Sequence, residues 1–388
     1  MNTSNDIVDD DSVVPADQQE SEDDIHLSRE GAAAAVMFNT DWTVETLFTQ
    51  IKKGNINLDP KFQRREAWDP VRKSKLIESI ICSFPIPNVV LAEDKNKKGR
   101  YLVIDGKQRL FSIFSFLSNE MALSGLETRD DLNGYRFAEL NLVAPDEVPT
   151  IENHPIRTII IRNWPNEDYL YSIFYRLNSG SLPLSSQELR KALHGGRLLD
   201  YIDDYIADND HFQRIFGEKL DKRMRDVEIV LRFVAFDLFM KDYGGNLKAF
   251  LDKTVIFFDK DWDRQKQILD SSLTRLTKAL ELSYLVFGKG TFKKWNGSVY
   301  ERRANRAVFD VITRYFSQVN IQEENITDQK DMIEQRFKDL CVNDARFKET
   351  IERTTKTPAA TRARLELWGM SLSTQLERQF DSDSLRII

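Results

Sequence analysis

The sequence has few cysteines, the residues that form disulfide frameworks and many structural metal sites. Its 388 residues include two cysteines, Cys82 and Cys341, which lie far apart in mainly apolar or mixed helical surroundings. Distant cysteines of this kind predict reduced thiols, which are typical of cytosolic proteins, and they exclude a disulfide-stapled fold. We therefore expect a cytoplasmic protein.

Long apolar runs and the best-known phosphate-binding loop are also missing. No stretch approaches the ~18 apolar residues of a membrane-spanning helix, and the first residues lack the basic and apolar regions of a secretion signal. The sequence therefore predicts no membrane partner. It also contains no Gly-x-x-x-x-Gly-Lys-Ser/Thr pattern, which argues against a P-loop ATPase.

The net charge of −7 is unevenly distributed along the chain. Residues 1–30 contain ten acidic residues and a single basic one, Arg29, so this segment carries −9 and the rest of the chain +2. An acidic segment poor in aromatic residues buries too little apolar surface to fold, so residues 1–34 are predicted to be a disordered acidic tail. The near-neutral remainder neither requires nor excludes a nucleic-acid partner.

Two patterns of hydrophobic residues divide the rest of the chain near residue 195. Before this point, short apolar runs between amphipathic helices predict strands. These runs are residues 88–92, 101–104 and 156–161. Glycines and prolines in residues 120–155 predict short strands and loops there. We predict an α+β fold, with a small mixed sheet and flanking helices in residues 35–195 and an all-helical domain in residues 196–388.

A tight polar turn joins a predicted strand to a predicted helix in the stretch from Tyr101 to Phe116. The turn is Asp105-Gly106-Lys107-Gln108-Arg109, with one glycine for an unusual backbone conformation. A helix N-terminus presents free N–H groups, and Lys107 and Arg109 add positive charges, which together favour an anion. A solvated connector fits the same pattern, so both interpretations stay open.

A second cationic segment precedes this turn. Arg64 and Arg65 are adjacent and are bracketed by two aromatic residues, which is unusual for a plain loop. Arginine binds phosphate or carboxylate through several planar donors, so the segment favours anion binding. The structural alternative is a buried ion pair with Glu66 or Glu78.

Five motifs in a fixed order indicate a family. The motifs are Phe62-Gln63-Arg64-Arg65 with Trp68, Pro85-Ile86-Pro87, Asp105-Gly106-Lys107-Gln108-Arg109, Arg176-Leu177-Asn178 and Gln187-Glu188-Leu189-Arg190. Together they resemble the N-terminal domain of GmrSD-type, modification-dependent restriction systems. That family belongs to the ParB/sulfiredoxin-like superfamily, whose fold the resemblance implies for residues 35–195. Lys107 replaces the first glutamine of the family's usual Asp-Gly-Gln-Gln-Arg motif, which leaves the base of any nucleotide open.

The resemblance implies a nucleoside triphosphate site that uses Mg²⁺ and controls DNA cleavage in antiviral defence. Asp105 would act on the metal or on the attacking water, with Gln108 and Arg109 at the phosphates as the other catalytic residues. The nucleotide-binding residues would be Gln63, Arg64, Arg65, Gly106, Lys107, Arg176 and Asn178. An Mg²⁺-dependent NTPase, a non-catalytic DNA- or nucleotide-binding module and a ParB-like nuclease all fit the resemblance.

Proteins of this family commonly continue into an HNH nuclease domain, whose metal site needs closely grouped histidines. The chain has four histidines, and none lies in such a context. They are His26, His154, His194 and His211. We therefore expect a nuclease to be absent or supplied by a separate subunit, with the nucleotide state gating DNA engagement or that partner.

One stretch of the helical half combines cations with aromatic residues, as contacts to phosphates and bases require. Its candidate nucleic-acid-binding residues are Lys293, Lys294, Trp295, Arg302 and Arg303. Residues 301–317 are predicted to be helical, so a basic loop followed by a solvated helix face is the alternative. A second basic stretch begins at Arg353 and continues to Arg362 and Arg364.

Overall fold

A computed structural model of the chain describes residues 35–58, 68–177, 185–353 and 356–388. The predicted acidic tail, residues 1–34, lies outside these described ranges. The chain divides into two compact units, one formed by Ile25–Leu193 and one that contains His194–Ile388.

The first unit is built around a four-stranded mixed sheet. Its elements are β1 (Val36–Thr43), α1 (Val44–Lys52), α2 (Pro70–Ile81), β2 (Val89–Glu93), β3 (Tyr101–Asp105), α3 (Lys107–Leu117), α4 (Phe137–Val143), α5 (Glu147–Asn153), β4 (Pro155–Arg162), α6 (Glu167–Leu177) and α7 (Ser186–His194). The strand order is β1-β4-β2-β3. Strand β4 is antiparallel to β1 and parallel to β2, and β2 is antiparallel to β3.

Alternate side chains of β2 and β3 point to opposite faces of the sheet, as the two-residue period of a strand requires. Leu91 and Val103 belong to a core with residues of α1 to α5, whereas Val90 and Ile104 pack with residues of α6 and α7. The sheet therefore lies between two helical layers. The predicted α+β class is confirmed.

The segment 120–155 differs from its prediction, because it contains helices α4 and α5 and a short 3₁₀ helix, Asp130–Leu132, and no strand of the sheet except the first residue of β4. Pro149 lies in the first turn of α5, where a missing N–H costs no helical hydrogen bond. The connecting loop is held by Glu78, whose Oε1 accepts the backbone N–H groups of Glu127, Thr128 and Arg129 at 2.9, 2.6 and 2.9 Å. The buried carboxylate of Glu78 thus accepts the backbone N–H groups that a neighbouring strand would otherwise have bonded.

The second unit is mainly helical. Its elements are α8 (Arg197–Asp208), α9 (Asp210–Phe216), α10 (Arg225–Phe239), α11 (Leu247–Lys260), α12 (Trp262–Phe287), β5 (Lys293–Trp295), β6 (Tyr300–Ala304), α13 (Arg306–Phe316), α14 (Glu323–Thr327), α15 (Lys330–Asn343), α16 (Ala345–Glu352), α17 (Pro358–Gln375), β7 (Phe380–Asp381) and β8 (Arg386–Ile387). Helices α8 to α17 share one continuous hydrophobic core. In the part of the chain that the structure describes, none of the helices is long and apolar enough to cross a membrane.

The second unit is not all-helical as predicted, because it contains two antiparallel two-stranded ribbons, β5–β6 and β7–β8. The helix predicted over residues 301–317 begins only at Arg306. The residues before it form β6, and Asn305 then caps α13 by accepting the N–H of Val308 at 3.0 Å. The cap sets the start of the helix at a position that the apolar spacing alone does not reveal.

Candidate functional site

The polar turn predicted from the sequence lies at the junction of β3 and α3. Asp105 is the last residue of β3, and Gly106 precedes the helix with a φ of 92°. A Cβ atom at Gly106 would lie 3.0 Å from Val89 Cγ2 and 3.2 Å from Arg109 Nη2. Because glycine alone combines this backbone angle with the absence of a side chain, the junction depends on Gly106.

A buried arginine fixes the carboxylate at this junction. Arg109 Nη2 donates hydrogen bonds to Asp105 Oδ2 at 2.6 Å and to the carbonyl oxygen of Asn88 at 2.8 Å. The Arg109 side chain is 10% exposed and that of Asp105 is 27% exposed. The buried Arg109 therefore fixes the position of the Asp105 carboxylate, which stays partly accessible to solvent.

The first turn of α3 has two further polar features. The N-cap position of this helix is a glycine, which makes no side-chain cap hydrogen bond, and an N-terminus without a side-chain cap favours an anion. Gln108 Oε1 is buried, and no described residue donates a hydrogen bond to it. An orphaned carbonyl oxygen of this kind is uncommon in a folded protein and is suited to accept from a ligand or to coordinate a cation.

The structure places the remaining predicted residues as follows. Lys107 is half-buried at the start of α3, and Arg176 is exposed in the last turn of α6, a helix that packs against β3. Gln63, Arg64, Arg65 and Asn178 lie outside the described residues. The junction thus unites the five residues from Asp105 to Arg109.

The residues at the junction fit a magnesium ion that takes most of its ligands from phosphate and water. Mg²⁺ is commonly bound by one or two carboxylates together with substrate phosphates. Asp105 offers the oxygen that Arg109 does not bind, Oδ1, and Gln108 offers its orphaned amide oxygen. Both are hard oxygen donors, as Mg²⁺ prefers.

Sequence reasoning missed Asn88 and Val89, which complete the junction. Asn88 supplies a backbone carbonyl to Arg109, and Val89 packs against Gly106. The sequence gives no signal for either residue, because Asn88 acts through its backbone carbonyl group and Val89 through the shape of its side chain. The pairing of β2 with β3 brings them to the turn.

The predicted nucleic-acid-binding residues lie on the β5–β6 hairpin of the second unit. Lys294 Nζ forms ion pairs with Glu301 Oε1 at 2.8 Å and with Glu352 Oε1 at 2.7 Å. Burial lowers the pKa of Lys294, but hydrogen bonds to these two glutamates raise it more, so the net shift is upward. The charge of Lys294 is thus paired with carboxylates of the same unit.

The aromatic residue of the hairpin is also engaged. Trp295 packs edge to face on Tyr300, with ring centroids 5.1 Å apart, and Lys338 Nζ lies 4.6 Å from the Trp295 ring. Arg302 and Arg303 are exposed and Lys293 is half-buried. Arg364, from the second basic stretch, has no exposed surface and contacts Asp310. The prediction that Arg364 belongs to a basic surface is therefore wrong.

Residues 44–195 match a family model described as GmrSD restriction endonuclease, N-terminal domain. This match confirms the resemblance that the five motifs indicated. It covers the β3–α3 junction and leaves out the β5–β6 hairpin. No curated protein and no solved structure matches the chain.

Proposed function

We propose, from the premise that residues 44–195 are a GmrSD restriction endonuclease N-terminal domain, that this domain binds a nucleoside triphosphate with Mg²⁺. The bound state would gate DNA engagement or a separate nuclease subunit. The observation that carries the proposal is the carboxylate of Asp105, held by Arg109 beside the uncapped N-terminus of α3.

The phosphates would bind at the helix N-terminus. Backbone N–H groups and the helix dipole favour an anion there, and Lys107 adds a full charge one residue from Gly106. Arg176 would approach from α6, which packs against β3. Arg64 and Arg65 are proposed from the motif as further cations, because a triphosphate requires several at one place.

Asp105 and Gln108 would hold the metal ion. Bound Mg²⁺ would neutralise charge on the phosphate oxygens. Arg109 acts as a positioning residue, since its Nη2 is committed to Asp105 and Asn88. The carboxylate then keeps one orientation, with Oδ1 turned away from the arginine.

A turnover assay tests this function. The purified chain is given each of the four common nucleoside triphosphates with Mg²⁺, and phosphate release is measured for wild type and for Asp105→Asn. We expect release by wild type and its loss in the variant. The matched control is Glu120→Gln, which removes an exposed carboxylate from the same unit and is expected to leave turnover unchanged.

A nucleotide-binding module without turnover is the second candidate. It is favoured by the ion pair itself, because Arg109 already occupies one of the two oxygens of Asp105. Binding with no phosphate release by wild type would select this candidate. Absence of both binding and release would reject both.

DNA engagement is proposed for the β5–β6 hairpin of the second unit. Arg302 and Arg303 are exposed on β6, and a two-stranded ribbon has the right width for the major groove of DNA. Lys294 and Trp295 would support the hairpin from within the unit.

A further inference from the structure

The sheet of the first unit has an edge strand without the usual protection against pairing with another strand. β1 lies at one end of the strand order β1-β4-β2-β3, and no strand among the described residues pairs with its outer side. It is 8 residues long, pairs with β4 without a bulge, and contains no proline or lysine. Bulges, prolines and lysines are the features that commonly keep an edge strand from accepting a further strand. The outer side of β1 is therefore open to strand addition.

The first residues of β1 expose three large apolar side chains in a row. Val36, Met37 and Phe38 are 40%, 55% and 45% exposed. Because successive side chains of a strand point to opposite faces, apolar surface lies on both faces of the sheet beside the open edge. The guanidinium group of Arg162 lies 5.0 Å from the centroid of the Phe38 ring, and nearly half of Phe38 stays exposed. Contiguous apolar surface of this kind marks an interaction site.

The pairing with β4 shows which residues of β1 direct their backbone groups outward. The N–H of Val44 donates to the carbonyl oxygen of His154 at 3.1 Å, and this pair continues the register of β1 with β4. Opposed residues of an antiparallel pair alternate between hydrogen-bonded and non-hydrogen-bonded positions, so the even-numbered residues of β1 bond to β4. The odd-numbered residues Met37, Asn39 and Asp41 therefore direct their N–H and C=O groups to the open edge.

We propose that β1 is a homodimer interface, at which two copies of the chain join their sheets through antiparallel β1 strands. The two-fold axis passes beside Phe38, so Met37 lies opposite Asn39 of the second copy in a hydrogen-bonded pair. Phe38 lies opposite Phe38 of the second copy at a non-hydrogen-bonded position, where the side chains of two strands are closest. The same surface patch of each copy thus forms the contact, as a two-fold dimer requires.

The charge on β1 is compatible with a second copy as the partner. Asp41 is the charged residue of β1, and Arg157 Nε on β4 pairs with it at 2.7 Å. In the proposed register Asp41 lies opposite Ala35 of the second copy, so the two Asp41 residues are about 20 Å apart along the strands. No like charges meet, and the apolar residues of each copy cover those of the other. The edge is therefore complementary to itself.

This interface is separate from the nucleotide function proposed for residues 44–195. β1 and β3 lie at opposite edges of the sheet, so strand pairing at β1 does not involve the β3–α3 junction. The family match begins at residue 44, directly after β1. The dimer can therefore fail without any consequence for the nucleotide site, and the nucleotide site can fail without any consequence for the dimer.

Sedimentation equilibrium of the full chain tests the dimer at protein concentrations from about 1 to 500 μM. A contact made by one pair of short strands and a few apolar residues lies at the small end of protein interfaces. We therefore expect a monomer–dimer equilibrium with a Kd of about 10–100 μM.

Two variants and a matched control locate the contact. Asn39→Pro removes an N–H that points to the open edge and keeps the hydrogen bonds to β4, as an edge strand tolerates. Phe38→Lys places two like charges opposite each other at the two-fold axis. Each variant is expected to weaken the dimer by about tenfold or more. The control is Leu142→Lys, which changes an apolar residue of α4 that is 86% exposed and leaves the Kd unchanged.

Hydrogen exchange of residues 35–43, followed by mass spectrometry at low and high protein concentration, identifies the strand directly. We expect exchange to slow at high concentration in wild type and to stay fast in Phe38→Lys. Thermal unfolding of each variant is recorded first, and if Asn39→Pro does not fold, the lysine variant decides the outcome.

Three results would overturn the interface. The first is a wild-type chain that stays monomeric up to about 500 μM, and the second is a dimer that both β1 variants leave intact. The third is exchange of residues 35–43 that is the same at both concentrations. In that case a segment of the same chain, or nothing, covers the edge.

Discussion

Arg109 Nη2 donates a hydrogen bond to Asp105 Oδ2 at 2.6 Å, and the same nitrogen bonds the carbonyl oxygen of Asn88 at 2.8 Å. One guanidinium group thereby joins the end of β3, the first turn of α3 and the residue before β2. Because the arginine is buried and the aspartate is partly exposed, the pair presents a fixed carboxylate to solvent. This arrangement supports the nucleotide site that we propose.

Removal of the arginine should destabilise the first unit. Arg109→Gln leaves Asp105 without its cation in a partly buried place, so we expect a loss of about 1–3 kcal/mol in the free energy of unfolding. Urea denaturation measures it. The control is Arg157→Gln, since the Arg157–Asp41 pair is exposed and should contribute at most about 0.5 kcal/mol. Equal losses in the two variants would contradict the role given to Arg109.

The glycine of the junction should be harder to replace than a glycine in open space. Gly106→Ala combines a positive φ with a Cβ 3.0 Å from Val89 Cγ2, so we expect a loss of about 2–3 kcal/mol. Gly134 has a φ of 90° and no atom within 4 Å of a built Cβ. Gly134→Ala should therefore show the backbone strain alone, about 1 kcal/mol. A smaller loss at Gly106 would refute the close packing with Val89.

Acid should weaken the first unit partly through His154, which precedes β4. Burial lowers the pKa of its imidazole below the usual value near 6.5. The unfolded chain then binds a proton that the folded chain does not, so stability falls as the pH drops through the unfolded value. Between about pH 7.5 and pH 5.5, wild type should lose more stability than His154→Gln. His211→Gln, in the second unit, is the control, and an equal loss in wild type and His154→Gln would contradict the prediction.

The salt dependence of DNA binding should separate the two kinds of hairpin cation. Arg302→Gln should reduce the slope of log K against log salt on duplex DNA by about 0.9, as expected for one lost phosphate contact. Lys294→Gln should leave this slope unchanged, because Lys294 is paired with Glu301 and Glu352. A fall in slope for Lys294→Gln with none for Arg302→Gln would reverse the assignment.

Local signals in the sequence predicted the junction well. The pattern predicted a strand over residues 101–104, a turn over residues 105–109 and a helix after it. In the structure the turn is shorter, because β3 includes Asp105 and α3 begins at Lys107. The contact with Asn88 was not predictable in this way. It depends on the pairing of β2 with β3 and on a backbone atom, and neither leaves a mark in the side-chain pattern.

Two cationic residues have ion-pair partners that lie far away along the chain. Lys294 looks like a free cation in the sequence, but Glu352, 58 residues away, pairs with it. Arg364 looks like part of a basic surface, but Asp310, 54 residues away, lies beside it in the core. Spacing along the chain describes the neighbours on one element, whereas burial and ion pairing depend on elements that meet only in the folded chain.

Calorimetric titration of nucleoside triphosphates with Mg²⁺ into the wild-type chain tests the central claim most directly. We predict that at least one triphosphate binds with a Kd below about 100 μM, and that Lys107→Gln or Arg176→Gln weakens it by about fivefold or more. Glu120→Gln should leave the Kd unchanged. Binding of none of the four triphosphates below about 1 mM, or binding that both variants leave unaffected, would contradict the account of the β3–α3 junction as a nucleotide site.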